Sequence, residues 1–402
     1  MLFRSEGFSL AGDDALLRVV REHVVDPIRD KLRQIGMGER ADYALNQLLG
    51  GDRGDMKAVE LVRRQQFAAQ IASPIALGLL QDYEAFDPLL PVPATTRKFT
   101  EFFSPDNLPS AELLNYVNAE LAKLGAKDFK LQDMEFDVSL ADLDRTIRSV
   151  FLEMLQALGE IVYRYRCDLL ILSGRTSRLP AVRAILEESA ALPSHRVLPL
   201  HLFRVGQWYP FRDFRATVGD PKTTAAVGAM ICLLGNGQLQ NFNFRSNELR
   251  PRSTARYFGK LDQSNRLLKA DEFYDDLDLD NYDYELPEER AFEFRGPMPL
   301  GFRQLPVDWW PGSRLYSIDY ATPDDARSLN PQTPLRITLA RAGKKVVNRY
   351  TGEEYMDNPN LIIKNIKDRE GRTVPPARMR LRLQTISHQQ GYWLDTGILL
   401  GS

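Results

Sequence analysis

Asp168-Leu169-Leu170-Ile171-Leu172-Ser173-Gly174-Arg175-Thr176-Ser177-Arg178-Leu179-Pro180 is the stretch on which the reading of this chain turns. Residues 169–172 form a short unbroken apolar run, the pattern of a strand buried on both faces. Gly174 ends that run at a point where a chain must turn sharply or let another group approach its backbone. Polar residues 175–178 follow, and Pro180 stands where the first turn of a helix accepts proline, continuing through Val182, Ile185 and Leu186. Further along, Asp220-Pro221-Lys222-Thr223-Thr224-Ala225-Ala226-Val227-Gly228-Ala229-Met230 predicts a second helix, with Asp220 as N-cap and Pro221 as first residue. Its Ala and Gly residues leave room for a neighbouring backbone.

Upstream, Ser139 and Asp142 predict the capped start of a long helix with apolar positions Leu140, Leu143, Ile147, Val150, Met154, Leu158, Ile161 and Tyr165. That helix delivers the chain to the strand at 168. Before it, 129–131 and 134–138 are short strand candidates, and the Pro- and Thr-rich 88–108 reads as loops and strand edges around Phe99, Phe102 and Phe103. Leu16, Leu17, Val20, Val24 and Ile28 mark an amphipathic first helix, and 60–72 a second. Downstream the composition changes: 236–256 is polar and 271–293 strongly acidic, which together predict a linker or arm over 236–294, with anchoring as a belt through Tyr257, Phe258, Phe273, Tyr274, Tyr282 and Tyr284 as the alternative. Beyond it, Leu335, Ile337 and Leu339, then Met379, Leu381 and Leu383, alternate with polar neighbours as in antiparallel strands with one wet face. The expected domains are an α/β lobe over 1–235 and an antiparallel β-rich domain over 295–402, α+β overall.

The order of these motifs resembles the adenosine side of the actin-like, ribonuclease H-like ATPase superfamily of heat-shock chaperones and actin. In that superfamily a strand ends in a glycine turn followed by Ser/Thr-Arg-Ile/Leu-Pro, and an Asn/Asp-Pro…Ala-x-Gly-Ala helix comes later. Ser177-Arg178-Leu179-Pro180 and Asp220-Pro221…Ala226-Val227-Gly228-Ala229 match it in order. Ala11-Gly12-Asp13-Asp14 is similar to the glycine-acid turn opening the superfamily's corresponding helix, so residues 7–235 resemble its second lobe. The wider wording, with Trp208-Tyr209-Pro210-Phe211-Arg212 ahead of Asp220, resembles the bacterial SrfB virulence-associated family. The resemblance places Gly12, Gly174, Ser177, Arg178 and Gly228 around an adenosine. It aligns the second helix's adenosine contacts with Gln66, Ala69, Gln70 and Ser73, of which only the serine matches.

The Asp-x-Gly and Asp-Gly-Gly-Gly phosphate hairpins of the superfamily are not found in this sequence. Phosphoryl transfer rests on positioned phosphates and metal, so the resemblance implies no ATP hydrolysis by this chain alone. ATP is expected as a weakly held or vestigial ligand, and Mg²⁺ only where the missing hairpins are supplied. Two readings follow: a degenerate ATPase-like scaffold in a bacterial complex, or the nucleotide-binding half of an ATPase completed by an upstream segment or another chain. Protein partners are expected on either reading, the missing lobe or products of the same operon.

The remaining signals are read conservatively. Net charge of −2 gives no general attraction to nucleic acid or anionic membrane, and no nucleic-acid partner is expected. Two cysteines in apolar segments read as buried thiols, and the four histidines lack metal-ligand spacing. No apolar run approaches the roughly 20 residues of a membrane span. A cytoplasmic setting is expected, with secretion by a signal-less route left open. Asp395-Thr396-Gly397 reads as a closing turn. The Asp276–Asp280 spacing reads as a solvated acidic segment, with Arg378, Arg380 and Arg382 as an alternative partner. Trp208-Tyr209-Pro210-Phe211-Arg212 and Trp309-Trp310-Pro311 are read as packing between domains, with exposed recognition surfaces as the alternative.

Overall fold

The structure, a computed structural model, describes residues 3–5, 12–51, 57–90, 92–235, 237–242, 251–253, 255–279, 281, 283–287, 290–308, 310, 312–347, 352, 354–383 and 393–400. Ala11, Asp280, Tyr282, Trp309 and Pro311, singled out in the sequence, lie outside them. The chain divides into two compact units, Leu10–Val227 with His388–Ser402, and Met1–Ser9 with Gly228–Ser387. The second unit takes its first strand, β1 (Phe3–Ser5), from the start of the chain, and the first unit takes the chain's end.

The first unit is mainly helical. Its helices are α1 (Gly12–Val20), α2 (Asp26–Leu32), α3 (Arg40–Leu49), α4 (Ala58–Phe67), α5 (Ser73–Tyr83), α6 (Ala111–Lys123), α7 (Leu140–Arg164) and α8 (Pro180–Ser189). Wide π-helical turns at Arg21–Val25 and Ala68–Ala72 lead into α2 and α5. Pro27 and Pro74 explain both: proline offers no N–H, and its ring would strike the carbonyl four residues back. One extra residue in the preceding turn relieves that conflict. Ser139 caps α7 through its hydroxyl, which accepts from the Asp142 N–H at 3.3 Å. The buried stripe of α7 runs through Leu143, Ile147, Phe151, Leu155 and Ile161, so Phe151 and Leu155 replace Val150, Met154 and Leu158 at its centre.

Two side-chain positions lock α5, α7 and α8 together. Tyr83 is fully buried; its hydroxyl donates to Asp144 at 2.6 Å and accepts from the Ala181 N–H at 2.9 Å. Burial and the Asp144 carboxylate both raise the Tyr83 pKa well above the ordinary phenol value. Gly159 lets α8 lie against α7, because a Cβ there would stand 2.7 Å from the Ser189 carbonyl oxygen.

Two small sheets complete this unit. β2 (Thr95–Lys98) pairs antiparallel with β3 (Glu135–Val138), while 129–131, expected as a strand, leads into a 3-10 turn at Leu131–Asp133. There the Asn118 side chain holds the Leu131 N–H at 2.9 Å. β4 (Leu170–Leu172) pairs parallel with β5 (Val197–Pro199) through α8, a strand–helix–strand crossover. The expectation of burial on both faces of β4 is corrected: Leu172 is buried, but Leu169 is exposed and Ile171 is 55% exposed. With two strands only, the sheet leaves one of its faces uncovered.

The chain's end belongs to the helices and not to the β-rich region, contrary to the expected 295–402 domain. Trp393 and Leu399 join the helical core, and the Leu399 and Leu400 N–H groups bond the Leu49 carbonyl at 2.9 and 3.2 Å. Asp395-Thr396-Gly397 closes a one-turn helix, Trp393–Thr396, with Gly397 at φ +71° and its N–H on the Trp393 carbonyl. The apolar character of Trp393, Ile398, Leu399 and Leu400 is the physical reason.

The second unit holds two larger antiparallel sheets around one core. β6 (Pro251–Ser253) pairs parallel with β1. The remaining strands are β7 (Tyr257–Lys260), β8 (Glu272–Tyr274), β9 (Phe292–Phe294), β10 (Met298–Arg303), β11 (Ser313–Tyr320), β12 (Leu335–Val347), β13 (Glu354–Lys367), β14 (Thr373–Val374) and β15 (Met379–Leu383). Their orders are β15-β11-β10-β7-β8 and β14-β13-β12-β9. Leu335, Ile337 and Leu339 are buried as their alternation predicts, and Asp368 closes the β13–β14 turn by accepting from the Glu370 and Arg372 N–H groups at 2.9 Å each.

Residues 236–294 are not a bare linker in this structure. They supply β7, β8 and β9, and Phe258, Tyr274, Leu277, Leu286, Phe292 and Phe294 are buried. The aromatic and leucine residues set between the carboxylates point inward and hold the segment. Its polar groups meet Arg290, Arg341 and Lys345: Arg290 pairs with Asp275 at 2.5 Å, Arg341 bonds the Leu279 and Asn281 carbonyls at 2.7 Å, and Lys345 pairs with Asp283. Arg378, by contrast, pairs with Asp325 at 2.7 Å.

Candidate functional site

Strand β4 delivers Ser173 and Gly174 to the turn. Gly174 adopts φ +82°, a conformation that favours glycine, and a Cβ built there would meet nothing within 4 Å. Arg175–Arg178 then form a single 3-10 turn leading into α8. Ser177 is buried, and its hydroxyl donates to the Gly174 carbonyl at 2.7 Å. This bond closes the turn on itself.

Arg178 reaches out of the turn to two partners. Its Nε donates to the Glu84 carboxylate at 2.7 Å, just past the end of α5, and Nη1 donates to the Gly219 carbonyl at 2.6 Å. The Pro221 carbonyl gathers three donors' worth of contacts: the Thr224 hydroxyl at 2.7 Å, the Ser173 hydroxyl at 3.2 Å and the Gly174 N–H at 3.4 Å. Asp220 caps the short turn Pro221–Thr223 by accepting from the Lys222 N–H at 2.9 Å, and α9 (Thr224–Leu234) follows. The glycine turn and the Asp220-Pro221 motif therefore form one joint, as their order along the sequence suggests.

Gly12, at the start of α1, lies at the same joint: a Cβ there would stand 2.9 Å from Thr176 Cγ2. The structure thus brings together Gly12, Gly174, Ser177 and Arg178. Gln66 and Gln70 have other partners. Gln66 accepts from Arg63 at 2.9 Å, and Gln70 accepts from the Ser110 N–H at 3.1 Å, at the start of α6. Ser73 is buried at the first position of α5. Gly228 lies within α9, in the other compact unit, with open space at its Cβ position.

Sequence reasoning missed Glu84, Gly219, Ser173 and Thr224, the groups that occupy Arg178 and the Pro221 carbonyl. His201 stands in the 3-10 turn Leu200–Leu202 after β5, and its pKa is pushed down by burial and then by the nearby Arg178 and Arg183 guanidiniums. Cys167 and Cys232 are free thiols, half-buried. Among the described residues no group of three or more His, Cys, Asp or Glu side chains is arranged to hold a metal ion, and no helix is long and apolar enough to cross a membrane.

A family model described as "Virulence factor SrfB" matches residues 1–400. The chain belongs to the SrfB virulence factor family. No curated protein and no solved structure matches it. For this SrfB-family chain the joint can do one thing evidently well: it fixes β4, α8 and the start of α9 relative to α1 and α5 through bonds made within the unit.

Proposed function

We propose that this SrfB-family chain is an interaction scaffold of a virulence-associated complex, in which the ATPase-like joint serves as structure and turns over no nucleotide by itself. One observation carries the reading: the side chains the resemblance assigns to an adenosine wall are already bonded internally. Ser177 closes its own turn, and Arg178 is held by Glu84 and the Gly219 carbonyl. Binding a ligand through Arg178 would first break two charge-assisted hydrogen bonds. A second reading, the nucleotide half of an ATPase completed by another polypeptide, is favoured by the open space over Gly174 and by the approach of Gly12 to Thr176.

Titration calorimetry and a phosphate-release assay on the purified chain with Mg²⁺ and ATP separate the two. The scaffold reading expects no turnover above background and affinity no tighter than about millimolar, roughly −4 kcal/mol. Micromolar affinity, or turnover abolished by Gly174→Val, overturns it.

A further inference from the structure

Residues 200–219 form a compact loop after β5, tied at many points. Arg204 bridges Thr217 and Arg212 bridges Val218, both antiparallel. The Asp213 carboxylate accepts from the Arg215 N–H at 2.9 Å and from the Thr217 N–H and hydroxyl at 2.8 and 2.9 Å. Tyr209 is buried, its hydroxyl 2.8 Å from that of Thr223, and Arg178 holds the loop's last carbonyl at Gly219. The loop is thus ordered by its own bonds before it meets anything.

On this frame the large apolar side chains point into solvent. Leu202, Phe203 and Phe211 are exposed, Trp208 is 64% exposed and Phe214 91%. Within the 208–212 run, read from the sequence as packing between domains or as an exposed recognition surface, Tyr209 is buried while Trp208 and Phe211 are exposed. Arg204, Arg212 and Arg215 are also exposed, and none forms a salt bridge among the described residues. Arg215 lies over the Phe214 ring at 5.2 Å. The one carboxylate in the loop, Asp213, is occupied by the turn.

A cluster of exposed aromatics with cations that form no salt bridge among the described residues calls for an occupant that is apolar and anionic at once. Its geometry narrows the choice. The two bridges are isolated and join different stretches of the loop, so the exposed rings of Phe203, Trp208, Phe211 and Phe214 are spread over it and not set along one strand. A single-stranded nucleic acid stacks its bases along one platform, which this arrangement does not provide. A lipid interface surrounds whatever protrudes into it, and it rewards apolar side chains combined with basic ones.

We infer that the 200–219 loop inserts its aromatic side chains into the headgroup region of an anionic bilayer, with Arg204, Arg212 and Arg215 on the lipid phosphates. Being already ordered, the loop loses little conformational freedom on insertion.

Sedimentation of the full chain with vesicles of phosphatidylcholine, with and without about 30% phosphatidylserine, tests this. Binding is expected to the anionic vesicles and to weaken with salt. Each Arg→Gln change at 204, 212 or 215 should weaken it about fivefold, and the Trp208→Ala/Phe214→Ala pair at least about tenfold. Those side chains are exposed, so an unchanged circular dichroism spectrum is expected to confirm that the variants fold. Failure to bind either vesicle overturns the proposal. So does equal binding by the Trp208/Phe214 variant, or binding to oligo-dT in preference to vesicles that is lost with the same substitutions.

Discussion

Replacing Arg178 by alanine distinguishes a structural joint from a ligand wall. The substitution removes the bond to Glu84 at 2.7 Å and the bond to the Gly219 carbonyl at 2.6 Å. Hydrogen bonds to charged groups contribute about 1.5–3 kcal/mol each. The Arg178 and Glu84 side chains are 33% and 18% exposed, so solvent screening moves the ion pair toward the lower end. Glu84 is left half-buried without this partner, which adds to the cost. The sum is about 2–4 kcal/mol, a large share of the roughly 5–15 kcal/mol that holds a domain together. Urea unfolding followed by the helical far-ultraviolet signal reads this unit selectively, since nearly all the helices belong to it. Arg178→Lys should fall between parent and alanine, because a lysine keeps the charge but not the two-pronged donor geometry. An Arg178→Ala chain within about 0.5 kcal/mol of the parent would refute the reasoning, since the guanidinium would then be free to serve a ligand.

Two further outcomes follow from the packing of α7 against α8 and against the Arg21–Val25 turn. Gly159→Ala should destabilise by about 1–3 kcal/mol, although alanine is the better helix former, because the new methyl meets the Ser189 backbone at 2.7 Å; a raised melting temperature would count against it. His23 donates through Nε2 to Thr146 Oγ1 at 2.9 Å, since that hydroxyl itself donates to Glu22 at 2.6 Å. Burial lowers the His23 pKa, against the raising influence of Glu22, Asp142 and Asp26. The folded state therefore favours the neutral ring. Its contribution is full above the ordinary value of about 6.5 and is lost as pH falls below it toward the lowered folded value. Stability should decline as pH falls through the ordinary value of about 6.5 toward the lowered folded value, and His23→Gln should flatten part of that slope, His201 acting in the same direction. An unchanged slope in His23→Gln would refute the assignment.

The parts of the fold legible in the sequence were those set by near neighbours. Ser139, Pro180 and Asp220 each mark the start of a helix or helical turn, because capping and proline geometry act within one turn. The β12 alternation was legible for the same reason. Residues 236–294 misled because their charge outweighs their aromatics in composition, while burial depends on which side chains face inward, and Leu277 between two aspartates is buried. The chain's end misled because four apolar residues do not say which core they join. Their attachment to Leu49 spans most of the chain.

At the candidate site the same division explains what was read and what was not. Gly174 was legible because a positive φ is a local demand that glycine meets best. The partners of Arg178 were not, since they lie 94 and 41 positions away in sequence. Ser-Arg-Leu-Pro is compatible with a wall that faces a ligand and with a joint that faces its own fold. The residue types cannot separate the two, because both uses need a turn, a buried hydroxyl and a cation. The difference lies in where the hydrogen bonds go. Here Ser177 and Arg178 point back into the unit, and the Pro221 carbonyl draws Ser173, Gly174 and Thr224 toward the same joint. A degenerate ATPase-like site that kept this wiring would keep its shape without any nucleotide, since the contacts that brace it are supplied by Glu84 and by the carbonyls of Gly219 and Pro221.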